Sequence, residues 1–225
     1  MKSTVQFQHG QSMTEFLVIM PVMLLLIFGA IQFIFIYQAK TTLNYATFEA
    51  TRAGSLENAS LESIENGFTR GITPLFTRFS TKDNKEDDLA AKVLSAREIA
   101  RDEVANGFVK IELLNPTSRA FSSLYDPVVF ANTGEKEIPN DNLSFRRSPN
   151  DALQDANLLK LRITYCMKLI VPVVNSVILE AVLAVTKDSF EKDCLDNKNR
   201  FPIVSHAIIR MQTPARECKG CFANN

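Results

Sequence analysis

The chain has 225 residues, 46% of them hydrophobic, and its 25 Lys and Arg balance 25 Asp and Glu. That length makes one or at most two compact domains, and the charge balance provides no field for wholesale nucleic-acid binding. Apolar residues are concentrated in one block, Phe16 to Tyr37, with 19 apolar residues in 22 and no formal charge; this excludes a purely cytosolic soluble protein and a polytopic transporter, leaving one membrane segment and one soluble domain.

As a helix the block rises about 33 Å, enough to cross a hydrocarbon core of about 30 Å. A secretory signal would have a shorter apolar region ending at a small-x-small cleavage site, whereas this run passes into Gln38-Ala39-Lys40 without one. Lys2 and the amino terminus on one side oppose Lys40 and Arg52 on the other, so flanking charge does not set the orientation. Glu15 stands directly against the start of the run. A carboxylate there either marks the membrane boundary or is kept for a purpose, because at mid-depth it costs a few kcal/mol. The residues around it are Gly10-Gln11-Ser12-Met13-Thr14-Glu15-Phe16, preceded by a short polar leader.

This pattern resembles the prepilin-peptidase site of type IV pilins and pseudopilins. The resemblance implies cleavage between Gly10 and Gln11, which would leave 215 residues with Glu15 as the fifth. The spelling Gly-Gln-x-x-x-Glu-Phe followed by Pro21 is more specifically similar to the TadE-like family of the tight-adherence (Flp) pilus machinery. Gly10 has no side chain to obstruct a peptidase cleft. In an assembled pilus Glu15 would pair with an N-terminal ammonium, its own or a neighbour's, serving register more than stability.

Beyond Tyr37 the helical pattern continues through Ala39, Leu43, Ala46, Ala50 and Ala53, a narrow stripe of small residues. Small side chains allow close helix approach, and the stripe fits packing on the chain's own domain and contact between subunits equally. Ala50-Thr51-Arg52-Ala53-Gly54 is similar to the segment that follows the membrane helix in TadE-like proteins. Asn66-Gly67, Gly71 and Pro74 are expected to interrupt the next helical stretch. The acidic cluster Asp83 to Asp88 reads as helix-start chemistry before Leu89; it lacks the spacing and central glycine of a calcium loop.

Asn106-Gly107 closes that helix, and Phe108 to Leu114 alternates as a strand up to Asn115-Pro116. Thr117 to Asn150 reads as loop-rich, with Arg146-Arg147 as a solvated basic pair. Strict alternation from Leu159 to Tyr165 marks a strand with one buried face, running on toward Ile170 and Pro172. Val173, Val174, Val177, Ile178, Ala181 and Val182 follow with helical spacing, then a polar turn from Asp193 to Arg200. Phe201 to Met211 is the last strand; Ala207-Ile208-Ile209-Arg210-Met211 is similar to the closing strand of TadE-like proteins. These pieces predict an α+β fold: a long N-terminal transmembrane helix, then an antiparallel sheet with a few helices packed on one face, pilin-like in outline.

Four cysteines, Cys166, Cys194, Cys218 and Cys221, lie in the C-terminal quarter. In the periplasm that a prepilin's outer domain faces, disulfides are the default. Cys166 with Cys194 and Cys218 with Cys221 is the favoured pairing, with Cys194 to Cys218 or Cys221 as the alternative. Cys218-Lys219-Gly220-Cys221 near the chain end has no following helix to lower a thiol pKa, which disfavours a redox motif. Zinc would need a second short-spaced ligand pair. His206 is the only histidine after the leader, and no phosphate-binding loop or nucleophile elbow is present. No cofactor, metal or enzyme activity is expected.

The resemblance therefore implies a leader at 1–10, a transmembrane and assembly helix at 11–55 and a periplasmic α+β domain at 56–225. The chain would be a single-pass inner-membrane minor pilin or pseudopilin, cut after Gly10. It would act in assembly or initiation of a tight-adherence pilus, with Gly10, Gln11, Glu15 and Phe16 in processing, and Glu15, Pro21, Ala46, Ala50 and Ala53 in assembly. Expected partners are a prepilin peptidase, other pilin or pseudopilin subunits, inner-membrane pilus assembly proteins and membrane lipid, but no nucleic acid. Two other classes remain: an uncleaved bitopic sensor or adhesion protein, and a membrane-tethered thiol oxidoreductase using Cys218 and Cys221.

Overall fold

The computed structural model describes residues 11–77, 89–143, 152–171 and 174–218, with only the backbone at Gln11, Ser12 and Thr14. Helix α1, Gln11–Leu56, is a single run of 46 residues, about 69 Å at 1.5 Å per residue. Its two halves live in different surroundings. Most apolar side chains from Met13 to Tyr37 are exposed, whereas Ala39, Leu43, Ala46 and Ala50 are fully buried.

Ser60 caps helix α2, Leu61–Phe76, by accepting the Ser63 N–H, and α2 packs back along the buried half of α1. The helix passes uninterrupted through Asn66-Gly67, Gly71 and Pro74, contrary to the sequence expectation. A Cβ at Gly67 would sit 2.8 Å from the Glu49 carbonyl oxygen, and one at Gly71 only 2.5 Å from the Ala46 Cα. These glycines allow backbone-to-backbone packing, which outweighs a propensity cost of about 1 kcal/mol each. Pro74 falls in the last turn, where its missing N–H costs one bond, that to the Arg70 carbonyl, near the end of the helix.

Helix α3, Leu89–Ala105, ends before Gly107, whose φ of 70° suits a residue without a side chain. The acidic cluster at Asp83 to Asp88 lies outside the described residues, as does Arg146-Arg147. Strand β1, Val109–Asn115, leads into helices α4, Ser118–Ser123, and α5, Pro127–Thr133, then into β2, Glu137–Ile138. The expected loop thus contains two short helices, started by local caps: Thr117 accepts the Ala120 N–H, and Asp126 accepts those of Val128 and Val129. Such helices are too short to leave a hydrophobic period.

Helix α6, Ala152–Ala156, precedes β3, Leu158–Met167; then come α7, Val174–Leu183, α8, Ser189–Asp196, β4, Phe201–Arg210, and β5, Ala215–Arg216. Half of the expected polar turn at Asp193 to Arg200 is the end of α8, which Asp188 caps. The main sheet is three-stranded and antiparallel in the order β1-β3-β4, with Ile111 opposite Ile163 and Ile163 opposite Ser205. A short ladder joins β2 to β5.

Leu159, Leu161, Ile163 and Tyr165 are buried on one face of β3. That face meets the helical layer: Tyr165 stands edge-on to Phe76 of α2, and Leu159 lies beside Gly54 of α1. Arg162 and Cys166 point the other way, toward α8. The architecture is α+β with a long apolar N-terminal helix, as the pattern predicts, and α8 adds a contact on the second face of the sheet.

Candidate functional site

The sequence-predicted residues fall on α1. Gly10 lies outside the described residues; Gln11 opens the helix, Glu15 is exposed and Phe16 is 61% exposed. Positions 11 and 15 are four apart in the helix, so they share a face and lie within about one turn of each other. Pro21 sits inside α1, where its missing N–H frees the carbonyl four residues earlier, at Leu17.

Ala46 and Ala50 are placed differently from a subunit-contact surface. Both are fully buried inside the subunit, and Ala53 is partly buried beside Gly67. Helix α2 occupies the small-residue stripe because Gly67 and Gly71 leave room for it, so own-domain packing takes the face that periodicity left open. The outward face of the same helical stretch carries Tyr37, Tyr45 and Phe48, exposed at 72%, 55% and 48%. Sequence reasoning passed over these aromatics, and the period of eight and three between them was the available signal.

Polar side chains of α1 join it to the strands. The Lys40 ammonium donates to the Val204 carbonyl, and the Ser205 hydroxyl donates to Asn44 Oδ1 at 2.9 Å. The Gln212 and Thr213 amides donate to the Ser55 carbonyl at 2.9 and 3.2 Å. Nearest the apolar half, the Val171 amide donates to Gln32 Oε1 at 2.9 Å, and Gln32 is completely buried. None of these ties follows from spacing, because each partner is more than a hundred residues away in sequence.

Cys166 and Cys194 form a disulfide with Cα atoms 5.5 Å apart, the favoured pairing, and both are fully buried. Cys218 is also disulfide-bonded, while Cys221, its expected partner, lies outside the described residues. Beside the buried disulfide, Arg200 grips Glu103 at 2.5 and 3.2 Å, donates to the Cys166 carbonyl and lies 3.5 Å above the Phe108 ring. Burial, reinforced by Glu103, pushes the nearby Tyr165 phenol up, so it remains neutral.

On the sheet's other face Arg162 lies 3.1 Å from Glu191 and 3.6 Å from Glu112. Burial opposes ionisation of Asp188, but the Glu191 and Phe190 amides, Lys110 and Arg162 together hold its carboxyl below the usual value. His206 is pushed down by partial burial, then by Arg162, Lys160 and Lys40, so nothing poises it as a proton donor at neutral pH. Among the described residues, no group of three or more His, Cys, Asp or Glu is placed to hold a metal ion.

Residues 10–52 match the family model described as TadE-like protein. The match begins at the glycine of the proposed cleavage site and ends within the packed half of α1; the similar strand at Ala207 to Met211 lies outside it. No curated protein and no solved structure matches the chain. The TadE-like segment supports a pilus-associated, pseudopilin type of role in general terms, one that is structural and involves other pilus components. With one helix among the described residues long and apolar enough to cross a membrane, the same segment supports a membrane-anchored, single-pass protein.

Proposed function

We propose that this protein is a minor pilin or pseudopilin of a tight-adherence pilus, cut by a prepilin peptidase after Gly10. Its outer domain stands on the periplasmic side of the bacterial inner membrane. The observation that carries the reading is the division of α1. Its first half opens with Gln11, Glu15 and Phe16 and exposes apolar residues on every side, and its second half is the central support of a folded domain. A subunit of this form can be extracted from a bilayer into a filament without disturbing its domain, since the domain contributes little covering to the first half.

In this reading Glu15 supplies the negative partner for an N-terminal ammonium during assembly. Subunit contact comes from the exposed aromatics Tyr37, Tyr45 and Phe48 rather than from the alanine stripe, which α2 already fills. A mature chain of about 200 residues is far larger than the short major subunit that such systems use, which supports a minor or initiating component.

The test is intact mass of membrane-extracted protein, made with and without a cognate prepilin peptidase, beside Gly10→Val. Loss of the first ten residues only in the unaltered chain with peptidase supports the reading. A full-length mass under every condition overturns it in favour of an uncleaved bitopic protein.

A further inference from the structure

Residues 169–186 form a second apolar segment, with Glu180 as its single charge and Lys168 and Lys187 at its two ends. Its helix, α7, buries only Val174. Ile170, Val177, Leu183 and Val185 are 48%, 57%, 36% and 74% exposed. A patch of this kind would be unusual facing water.

The location of the segment says what covers it. Helix α7 touches α1, and the Val171 amide just before it is bonded to Gln32. Gln32 lies inside the apolar run, five residues before Tyr37, or about 7.5 Å along the helix on the membrane side. Phe33 and Ile34 at the same level of α1 are 64% and 65% exposed, so lipid that covers them is in reach of the segment.

Two backbone groups at this level are paired within the protein. Irregular chain at membrane depth is tolerated only where its polar groups find partners within the protein. The Val171 N–H is received by Gln32, and the Leu169 carbonyl accepts from Asn175 Nδ2 at 3.4 Å. Along α7, Val177 and Ala181 are exposed on one stripe, with Ser176 and Glu180 on the neighbouring one; Leu183, Ala184 and Val185 carry the exposed apolar surface past the helix end toward Lys187. An apolar stripe beside a polar one, bounded by lysines, is the pattern of a helix lying in a bilayer interface, with ammonium groups at the level of anionic headgroups.

We infer that residues 169–171 and 174–186 make a second membrane contact: α7 lies in the outer face of the bilayer that α1 crosses and fixes the domain against the lipid surface. The inference rests on the reading of α1 as a membrane span. It makes the domain a body attached at two places, with Gln32 to Val171 as the joint between them.

The test uses the full chain in vesicles of phosphatidylcholine and phosphatidylglycerol, with a bimane label on one introduced cysteine at a time: Val177→Cys, Val185→Cys, Leu26→Cys in the span and Val128→Cys on α5. Intact mass under non-reducing conditions checks that the native disulfides persist. Nitroxide-bearing lipid should cause loss of emission at 177 and 185 as it does at 26, with little loss to aqueous iodide, and 128 should behave oppositely. If 26 is quenched by lipid while 177 and 185 are quenched by iodide or by neither agent, the span stands and the second contact is refuted. If 26 is quenched by iodide alone, the span fails and the inference falls with it.

Discussion

Gly71 of α2 meets Ala46 of α1 so closely that a Cβ on the glycine would come within 2.5 Å of the alanine Cα. Replacing Gly71 with alanine should improve local helix propensity by about 1 kcal/mol. Because the obstacle is backbone, the two helices must separate, an overpacking cost of about 1–3 kcal/mol or more. The expected outcome for Gly71→Ala is a net loss of stability. Gly29→Ala, where no atom lies within 4 Å, should be neutral or slightly stabilising. Thermal unfolding of the detergent-solubilised chain reads both.

Gln32→Leu should release the segment that follows β3. The Val171 amide would lose its acceptor, and an unpaired buried donor costs about 1–3 kcal/mol. The substitution also removes Gln32 Nε2, which is itself buried without a partner, so the net effect falls toward the lower end of that range. Faster amide exchange at Val171 and along α7, with unchanged exchange in β3, is the expected result.

Breaking the Cys166–Cys194 bond should destabilise the outer domain strongly. The two residues are 28 apart in sequence, and the chain-entropy treatment gives about 3–4 kcal/mol for closing a loop of that size. Denaturant unfolding with and without reductant should show the loss, and the Cys166→Ser, Cys194→Ser double variant should show it without reductant.

Acid should weaken the contact between α8 and the sheet. Asp188 has a folded-state pKa below its ordinary value of 3.8, so the stability it supplies is fully present above that value and is lost as pH falls through the lower folded value. Asp188→Asn keeps a side-chain acceptor for the helix cap and should remove this part of the acid dependence. Comparing unfolding midpoints at neutral pH and near pH 3 for the two chains checks the direction.

Glu15→Ala separates processing from assembly. The exposed carboxylate has no described partner whose loss would disturb the fold, so the variant should insert and be cut by the peptidase yet fail to enter or initiate a pilus. Pilus yield by electron microscopy beside intact mass distinguishes the two steps.

How much of this was legible in the sequence depends on the range of the contact concerned. The membrane run, the alternation in β3 and the pairing of Cys166 with Cys194 were readable because burial repeats with the period of the backbone and four cysteines allow few pairings. Gly67 and Gly71 misled, since a glycine that ends a helix and one that admits a neighbouring helix look alike until the neighbour is present. Ala46 and Ala50 were ambiguous for the same reason. The roles of Gln32 and Lys40 were invisible, being set by partners at Val171 and Val204 that only the folded topology brings close.

Helix α1 and strand β4 run in the same direction, and Lys40, Asn44 and Ser55 meet Val204, Ser205 and then Gln212 in matching order. The attachments span 15 residues of α1, about 22 Å of its length. A pull along the helix axis therefore loads them side by side in shear instead of peeling them one after another. Rupture then requires several bonds to fail together, and the tensile strength of the link between stem and head exceeds that of any single bond in it.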